Sequence, residues 1–348
     1  MRLPRRMTQR WRLADIDAAA AAIRSGDVVA FPTETVYGAG ANALSDTAVK
    51  RIFDAKGRPS DNPLIVHVPD ADAARRLVAI DNDAVERDFS ALASAFWPGP
   101  LTIVLRHAAP LSPLVTAGLD TVGVRVPDHD HALALLRACA VPVAAPSANL
   151  SGKPSPTNAD HVFRDLGGVI AGVLDGGDTG VGLESTVVDC SREPYVVLRP
   201  GGVTLDALRR VVGHDRVVAH DGTTTTAATP RAPGMKYTHY APSIPLHYVK
   251  GDDNAAVQRY VHELQEQSRQ RVAVLTPASG GDRVVAGDRL VTCGTAGDAS
   301  SVARALYACL RSFEQCDDVD VIVAYGFPSD GLGQAIMNRL LKASSTIV

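Results

Sequence analysis

Two cations separated by one glycine, Lys56 and Arg58 in AKGRPSDNPLIVH, stand on a turn next to Pro59 instead of along a helix. Lysine supplies a compact charge and arginine a planar bidentate fork, so the pair suits a polyanion such as a triphosphate. Two cations on a turn also describe an ordinary solvated loop. A second polar loop follows the apolar run 141–145: in PSANLSGKPSPT, Ser147, Asn149 and Ser155 offer hydroxyl and amide groups beside a glycine and Lys153. If that run is a strand, the loop sits at its carboxyl end, where α/β proteins bind ligands. A third element, the run ESTVVD from Glu184 to Asp189, leads on to Leu198-Arg199-Pro200-Gly201. Each segment alone reads as a turn; the three together point to a site.

Other signatures are weaker or missing. Gly38 to Ala43 fits the loose dinucleotide pattern G-x-G-x-x-A, but 32–37 separate it from the preceding apolar run and no acidic residue is well placed downstream. The sequence contains no G-x-x-x-x-G-K-[ST], H-E-x-x-H or G-x-S-x-G. His129 and His131 lie in a Pro/Asp-rich loop and read as surface histidines.

These loops must be positioned by a chain of 348 residues, long enough for two domains. Hydrophobic residues make up 46% and charged residues 21%, a globular balance, while 29 Gly and 22 Pro imply many turns. Net charge is -3, from 35 basic and 38 acidic residues, so anion binding must come from local placement of charge. No apolar run reaches the roughly 18 residues of a membrane helix, and no membrane partner is expected. Five scattered cysteines without a C-x-x-C pair suggest inert thiols in a reducing cytoplasm. The Arg-rich start, MRLPRRMTQRWR, lacks the apolar core of a secretory signal and reads as a basic tail or an organelle signal.

Patterning supplies the elements. Helices are expected over 15–24 and 45–55, the second opened by a Ser or Asp cap. Strands are expected over 27–31, 64–68, 101–105, 122–126, 141–144, 168–175 and 185–189, an interleaving that favours an α/β domain. The stretch 214–245, rich in Thr and Pro, reads as an extended linker. Beyond it, strands at 246–249, 271–275 and 319–324 alternate with helices at 254–270, 300–313 and 334–342, a small doubly wound unit. The loop 326–333 between a strand and a helix lacks the Lys-Ser/Thr of a phosphate loop, so a structural or docking role is expected.

PTETVYGAG, the Lys56-x-Arg58 and Ser147-x-Asn149 constellation, STVVD and LRPG together resemble the YrdC/Sua5 family, and the linker PGMKYTHYAP resembles its long two-domain form. The resemblance implies an α/β fold: an N-terminal YrdC-like twisted mixed-sheet domain (1–212), a linker or lid (213–245) and a smaller C-terminal Rossmann-like Sua5 domain (246–348). It implies L-threonylcarbamoyladenylate synthesis from L-threonine, bicarbonate or CO2 and ATP, with release of pyrophosphate, for t6A37 biosynthesis on tRNA. Lys56 and Arg58 then match catalytic positions. Arg58, Asn62, Thr121, Ser147, Asn149, Ser155, Arg199 and Tyr237 match ATP-contacting positions. Thr35, His67, Arg125, Ala145 and Ser185 match the positions that hold threonine, with Arg125 as the partner of its carboxylate. Mg2+ is expected with ATP, its protein ligands unassigned, and the tRNA threonylcarbamoyl-transfer complex and tRNA are the expected partners. Lys236, Tyr237, His239 and Tyr240 make the linker a candidate lid over the adenylate.

Two rivals fit parts of the pattern. In a non-catalytic double-stranded RNA or tRNA-binding protein of the same fold, Lys56, Arg58, Arg106, Arg125, Lys153 and Arg199 would serve RNA phosphates. A carbamoyl-transferring module of hydrogenase maturation would carry acylphosphatase and zinc-finger segments, which the sequence lacks.

Overall fold

The structure is a computed structural model and describes residues 7–220, 230–233, 240–251, 254–278 and 287–348. Its described residues form two compact units: 7–151, 156–180 and 184–233 in one, and 152–155, 181–183 and 240–348 in the other.

The first unit is built on eleven strands: β1 (Gln9–Trp11), β2 (Val29–Phe31), β3 (Gly38–Asn42), β4 (Ile65–His67), β5 (Leu101–Arg106), β6 (Thr121–Arg125), β7 (Val143–Ala145), β8 (Gly172–Leu174), β9 (Thr186–Asp189), β10 (Tyr195–Arg199) and β11 (Val217–Ala219). Their order is β1-β8-β2-β3-β7-β4-β6-β5-β9-β10-β11. The sheet is mixed: β4 pairs parallel with β6 but antiparallel with β7, and β5 antiparallel with β6 but parallel with β9. Alternate residues of a strand face opposite ways. Ala30, Ala39, Val66, Ile103 and Val124 therefore join one apolar cluster, with Ile52 and Leu92 from the helices Asp46–Lys56 and Asp83–Phe96. Val29, Phe31, Val143 and Leu174 join the other, beneath the helices Ile16–Arg24 and Asp130–Cys139.

Gly38 to Asn42 is strand β3, not a nucleotide loop. Gly40 sits so close to its neighbours that a Cβ would lie 2.7 Å from both the Phe31 ring and Val143 Cγ1. That glycine serves packing across the sheet. A run of glycine and alanine carries no side-chain alternation, which is why patterning leaves this strand unseen. The stretch expected to be a linker contributes β11, which extends the sheet in parallel register with β10.

The second unit holds five parallel strands, β12 (Leu246–Tyr248), β13 (Val272–Ala278), β14 (Arg289–Thr295), β15 (Val321–Ala324) and β16 (Thr346–Ile347), in the order β14-β13-β15-β12-β16. The helix expected over 254–270 ends at Glu266, and Arg269 takes a left-handed φ of 50° in the turn that follows. Val257, Val261, Val272, Val274, Val321 and Val323 make the apolar layer between helix and sheet. Gly333, the first residue of the helix Gly333–Ala343, lies so close to the carbonyl of Pro328 that no side chain fits, a structural use of this glycine-rich segment. All five cysteines are free, and burial pushes the Cys139 thiol up to about 12, an inert group at neutral pH.

Candidate active site

The helix Asp46–Lys56 places the cationic turn. Ser45 caps its start by accepting from the Ala48 amide, and Gly57 ends it in the left-handed conformation, φ 61°, donating back to Phe53 O. Lys56 is thus the last helical residue, and Arg58 follows directly after the reversal. Lys56 is only 3% exposed. Its Nζ donates to the carbonyls of Ser147 and Asn149, each at 2.5 Å, so the first and second polar loops are joined through one ammonium. Ser147 Oγ donates to Asn149 Oδ1 at 2.5 Å, and Ser147 forms an antiparallel bridge with Gly38. Arg58 Nη2 reaches the carbonyls of Asn62 and Pro63 at 3.4 and 3.3 Å.

Asn62 has no exposed surface, yet neither its amide nitrogen nor its amide oxygen has a hydrogen-bond partner. Buried polar groups are nearly always paired, so an orphaned primary amide marks a place where a ligand completes the set.

A second cluster lies on β4 and β6. His67 and Arg125 are direct register partners on these neighbouring strands. Arg125 is 4% exposed; its Nε donates to Gly99 O at 3.3 Å, and its Nη2 lies 2.7 Å from Glu34 Oε2. Burial first, and the nearby Arg125 charge second, lower the pKa of His67 to about 3, so its imidazole is neutral. The ring stands edge-on to Phe31 at 5.8 Å, and its Nδ1 is buried without a hydrogen-bond partner. Thr33 Oγ1 donates to Val36 O at 2.6 Å and lies 2.7 Å from Thr35 Oγ1. Thr33 Oγ1 also accepts from the amides of Thr35 and Val36, each at 3.2 Å.

Ser185 forms a third group. Its Oγ is 2.8 Å from Thr102 Oγ1 and accepts from Arg199 Nη2 at 3.1 Å, while its carbonyl accepts from the same arginine at 2.9 Å. Ala145, 3% exposed, offers only its backbone and pairs with Ile65 across the sheet. Thr121 and Arg125 occupy opposite ends of β6, about 13 Å apart at a strand's rise per residue. Thr121 lines a crevice with Pro63, Thr102 and Arg231. Ser155 is buried within the stretch that belongs to the second unit. Tyr237, with Lys236 and His239, lies outside the described residues. Tyr240 packs inside the second unit, 5.4 Å from the Tyr307 ring, with the Arg339 guanidinium 5.6 Å from its own ring.

Sequence reasoning left Glu34, Thr33 and Thr102 unassigned. Glu34 is the one acidic residue of the PTETVYGAG run, but its partner Arg125 is distant in sequence and no local pattern links them. Of the six cations offered for RNA, five are paired with a carboxylate or buried. Arg106 pairs with Asp81, Arg125 with Glu34 and Lys153 with Glu314, while Lys56 and Arg199 are buried at 3% and 5% exposed.

Comparison with known proteins gives a consistent result. The family profile described as "Telomere recombination", covering Sua5, YciO and YrdC proteins, matches residues 21–201. The profile described as "Threonylcarbamoyl-AMP synthase, C-terminal domain" matches residues 203–345. A threonylcarbamoyl-AMP synthase of Bacillus subtilis is 50% identical over 94% of this chain and 92% of its own length. One from Pyrococcus abyssi is 44% identical over 98% of this chain and 96% of its own. The crystal structure of P. abyssi Sua5 complexed with L-threonine matches with a TM-score of 0.88 at 42% identity, covering 99% of this chain and 100% of that one. Escherichia coli YciO, at 24% identity and a TM-score of 0.50 over 56% of this chain and 97% of its own, shares the fold.

Proposed function

The chain belongs to the Sua5/YrdC family of threonylcarbamoyl-AMP synthases, and from that premise we propose how its own residues divide the work. It acts as an L-threonylcarbamoyladenylate synthase, a nucleotidyltransferase whose product serves t6A formation on tRNA. ATP enters at Lys56, Arg58, Asn62, Ser147 and Asn149, with Thr121, Ser155, Arg199 and Tyr237 as further contacts. Threonine is held by Arg125 at its carboxylate, with Thr35, His67, Ser185 and the Ala145 backbone around it. The observation that supports this division most directly is the set of orphaned buried polar atoms. The amide of Asn62 and Nδ1 of His67 lack partners, and both belong to positions assigned to substrate.

The reaction asks for positioning more than for a protein nucleophile. A carbamate formed on the threonine nitrogen attacks the α-phosphorus of ATP, and pyrophosphate departs. Lys56 and Arg58 offset the charge that gathers on the phosphates. Among the described residues no group of three His, Cys, Asp or Glu side chains could cage a metal ion. Mg2+ would arrive with ATP, held by phosphate oxygens and water, and would help neutralise the triphosphate. Bicarbonate, the tRNA threonylcarbamoyl-transfer complex and tRNA complete the proposed partners. The free thiols favour the cytoplasm, and no helix among the described residues is long and apolar enough to cross a membrane.

Carbon-labelled bicarbonate tests the reading. Incubated with ATP and L-threonine, the protein is expected to place the label in an adenylate that also contains threonine. An adenylate without the label would overturn it.

A further inference from the structure

We propose that Glu34 is a catalytic residue: it holds the ammonium of the bound amino acid and takes up the proton released as that nitrogen is carboxylated. The proposal rests on the assignment of Arg125 to the substrate carboxylate.

The geometry begins with the pair itself. Glu34 Oε2 lies 2.7 Å from Arg125 Nη2, with the two side chains 11% and 4% exposed. Beyond that ion pair, neither carboxylate oxygen of Glu34 has a hydrogen-bond partner. A structural ion pair buried this deeply is ordinarily completed by hydrogen bonds, because desolvation otherwise outweighs the attraction. Here the carboxylate is left with empty acceptor sites, which donors brought in by a ligand would fill.

An amino acid zwitterion brings the matching set. Its carboxylate and its ammonium are attached to one carbon, so a receptor must present a cation and an anion side by side. Arg125 and Glu34 are such a pair. With the carboxylate on Arg125, the three N–H donors of the ammonium meet Glu34, and Thr35 Oγ1 offers a further acceptor.

The same contact serves the chemistry. Carbamate formation from the ammonium and bicarbonate makes an N–C bond and breaks a C–O bond. Two protons leave nitrogen: one joins the departing hydroxide to give water, and the other needs a base. His67 is unsuited, since burial and Arg125 hold its imidazole neutral down to about pH 3. Glu34 is an anion already in contact with the ammonium, and the proton passes to it.

Kinetics of the forward reaction isolate this role. Glu34→Gln keeps the ATP contacts, which Glu34 does not make, but loses both the partner of the ammonium and the base. Forward kcat/KM for threonine is expected to fall by about 100-fold or more, the usual scale for removing a general base. KM for ATP stays within about threefold of wild type. Glu34→Asp keeps the charge that neutralises Arg125 and covers the case in which the glutamine variant does not fold. It should lose about tenfold in kcat with KM for threonine kept within about threefold. An unchanged forward rate in Glu34→Gln, or a loss in Glu34→Asp that lies in KM alone, would overturn the proposal. A wild-type protein that releases no pyrophosphate with threonine would instead overturn the functional reading beneath it.

Discussion

The ammonium of Lys56 donates to the carbonyl of Ser147, 91 residues further along the chain, and to that of Asn149. One buried side chain therefore ties the cationic turn to the polar loop beyond β7, and its charge and the loop's shape are inseparable. Lys56→Met keeps the alkyl stem but strands both carbonyls. Each buried unsatisfied group costs about 1–3 kcal/mol, and urea denaturation should show a loss of that order. Pyrophosphate release should drop by about 100-fold or more in kcat/KM, as for loss of a preorganised charge. Wild-type turnover in this variant would remove Lys56 from the machinery.

Asn62 should behave in the opposite sense. Its amide is fully buried and unpaired, so Asn62→Ala removes a group that has no partner within the fold. The free protein is expected to melt at the wild-type temperature or above it, while KM for ATP rises by about tenfold, the loss of one or two hydrogen bonds. A clear fall in melting temperature with unchanged KM would mean that the amide is structural.

His67 makes stability depend on pH. Its pKa of about 3 in the folded protein lies below the roughly 6.5 of an unfolded chain. Between those values the unfolded state binds a proton that the native state does not, so stability falls as pH falls. Between pH 7.5 and pH 5 the wild type should lose about 2 kcal/mol through this residue. His67→Gln should lose less by that amount over the same interval. Parallel denaturation curves for the two proteins would show that the imidazole is protonated in the fold.

Gly40→Ala tests the sheet beneath the site. The added Cβ would lie 2.7 Å from the Phe31 ring and from Val143 Cγ1. Overpacking of this kind costs about 1–3 kcal/mol. Trimming the ring in Gly40→Ala/Phe31→Leu should recover part of the loss, which a double-mutant cycle would measure.

Much of the site could be read from the sequence where chemistry and chain order coincide. Lys56, Gly57 and Arg58 are adjacent, and so are Ser147 and Asn149, so their residue types alone suggested an anion site. The remainder depends on strand order. Arg125 meets His67 only because β4 and β6 are neighbours, and Glu34 only because the loop after β2 reaches β6. Arg199 reaches Ser185 because β10 returns antiparallel to β9. Such pairings leave no local trace. The strand β3 escaped for a different reason: glycine and alanine make its packing close and its pattern silent.

Pyrophosphate release with ATP, L-threonine and bicarbonate, each omitted in turn, tests the central claim most directly. The account predicts release only when all three are present, matched one to one by threonylcarbamoyl-AMP. Pyrophosphate formed at the same rate without threonine, or ADP and phosphate in its place, would contradict it.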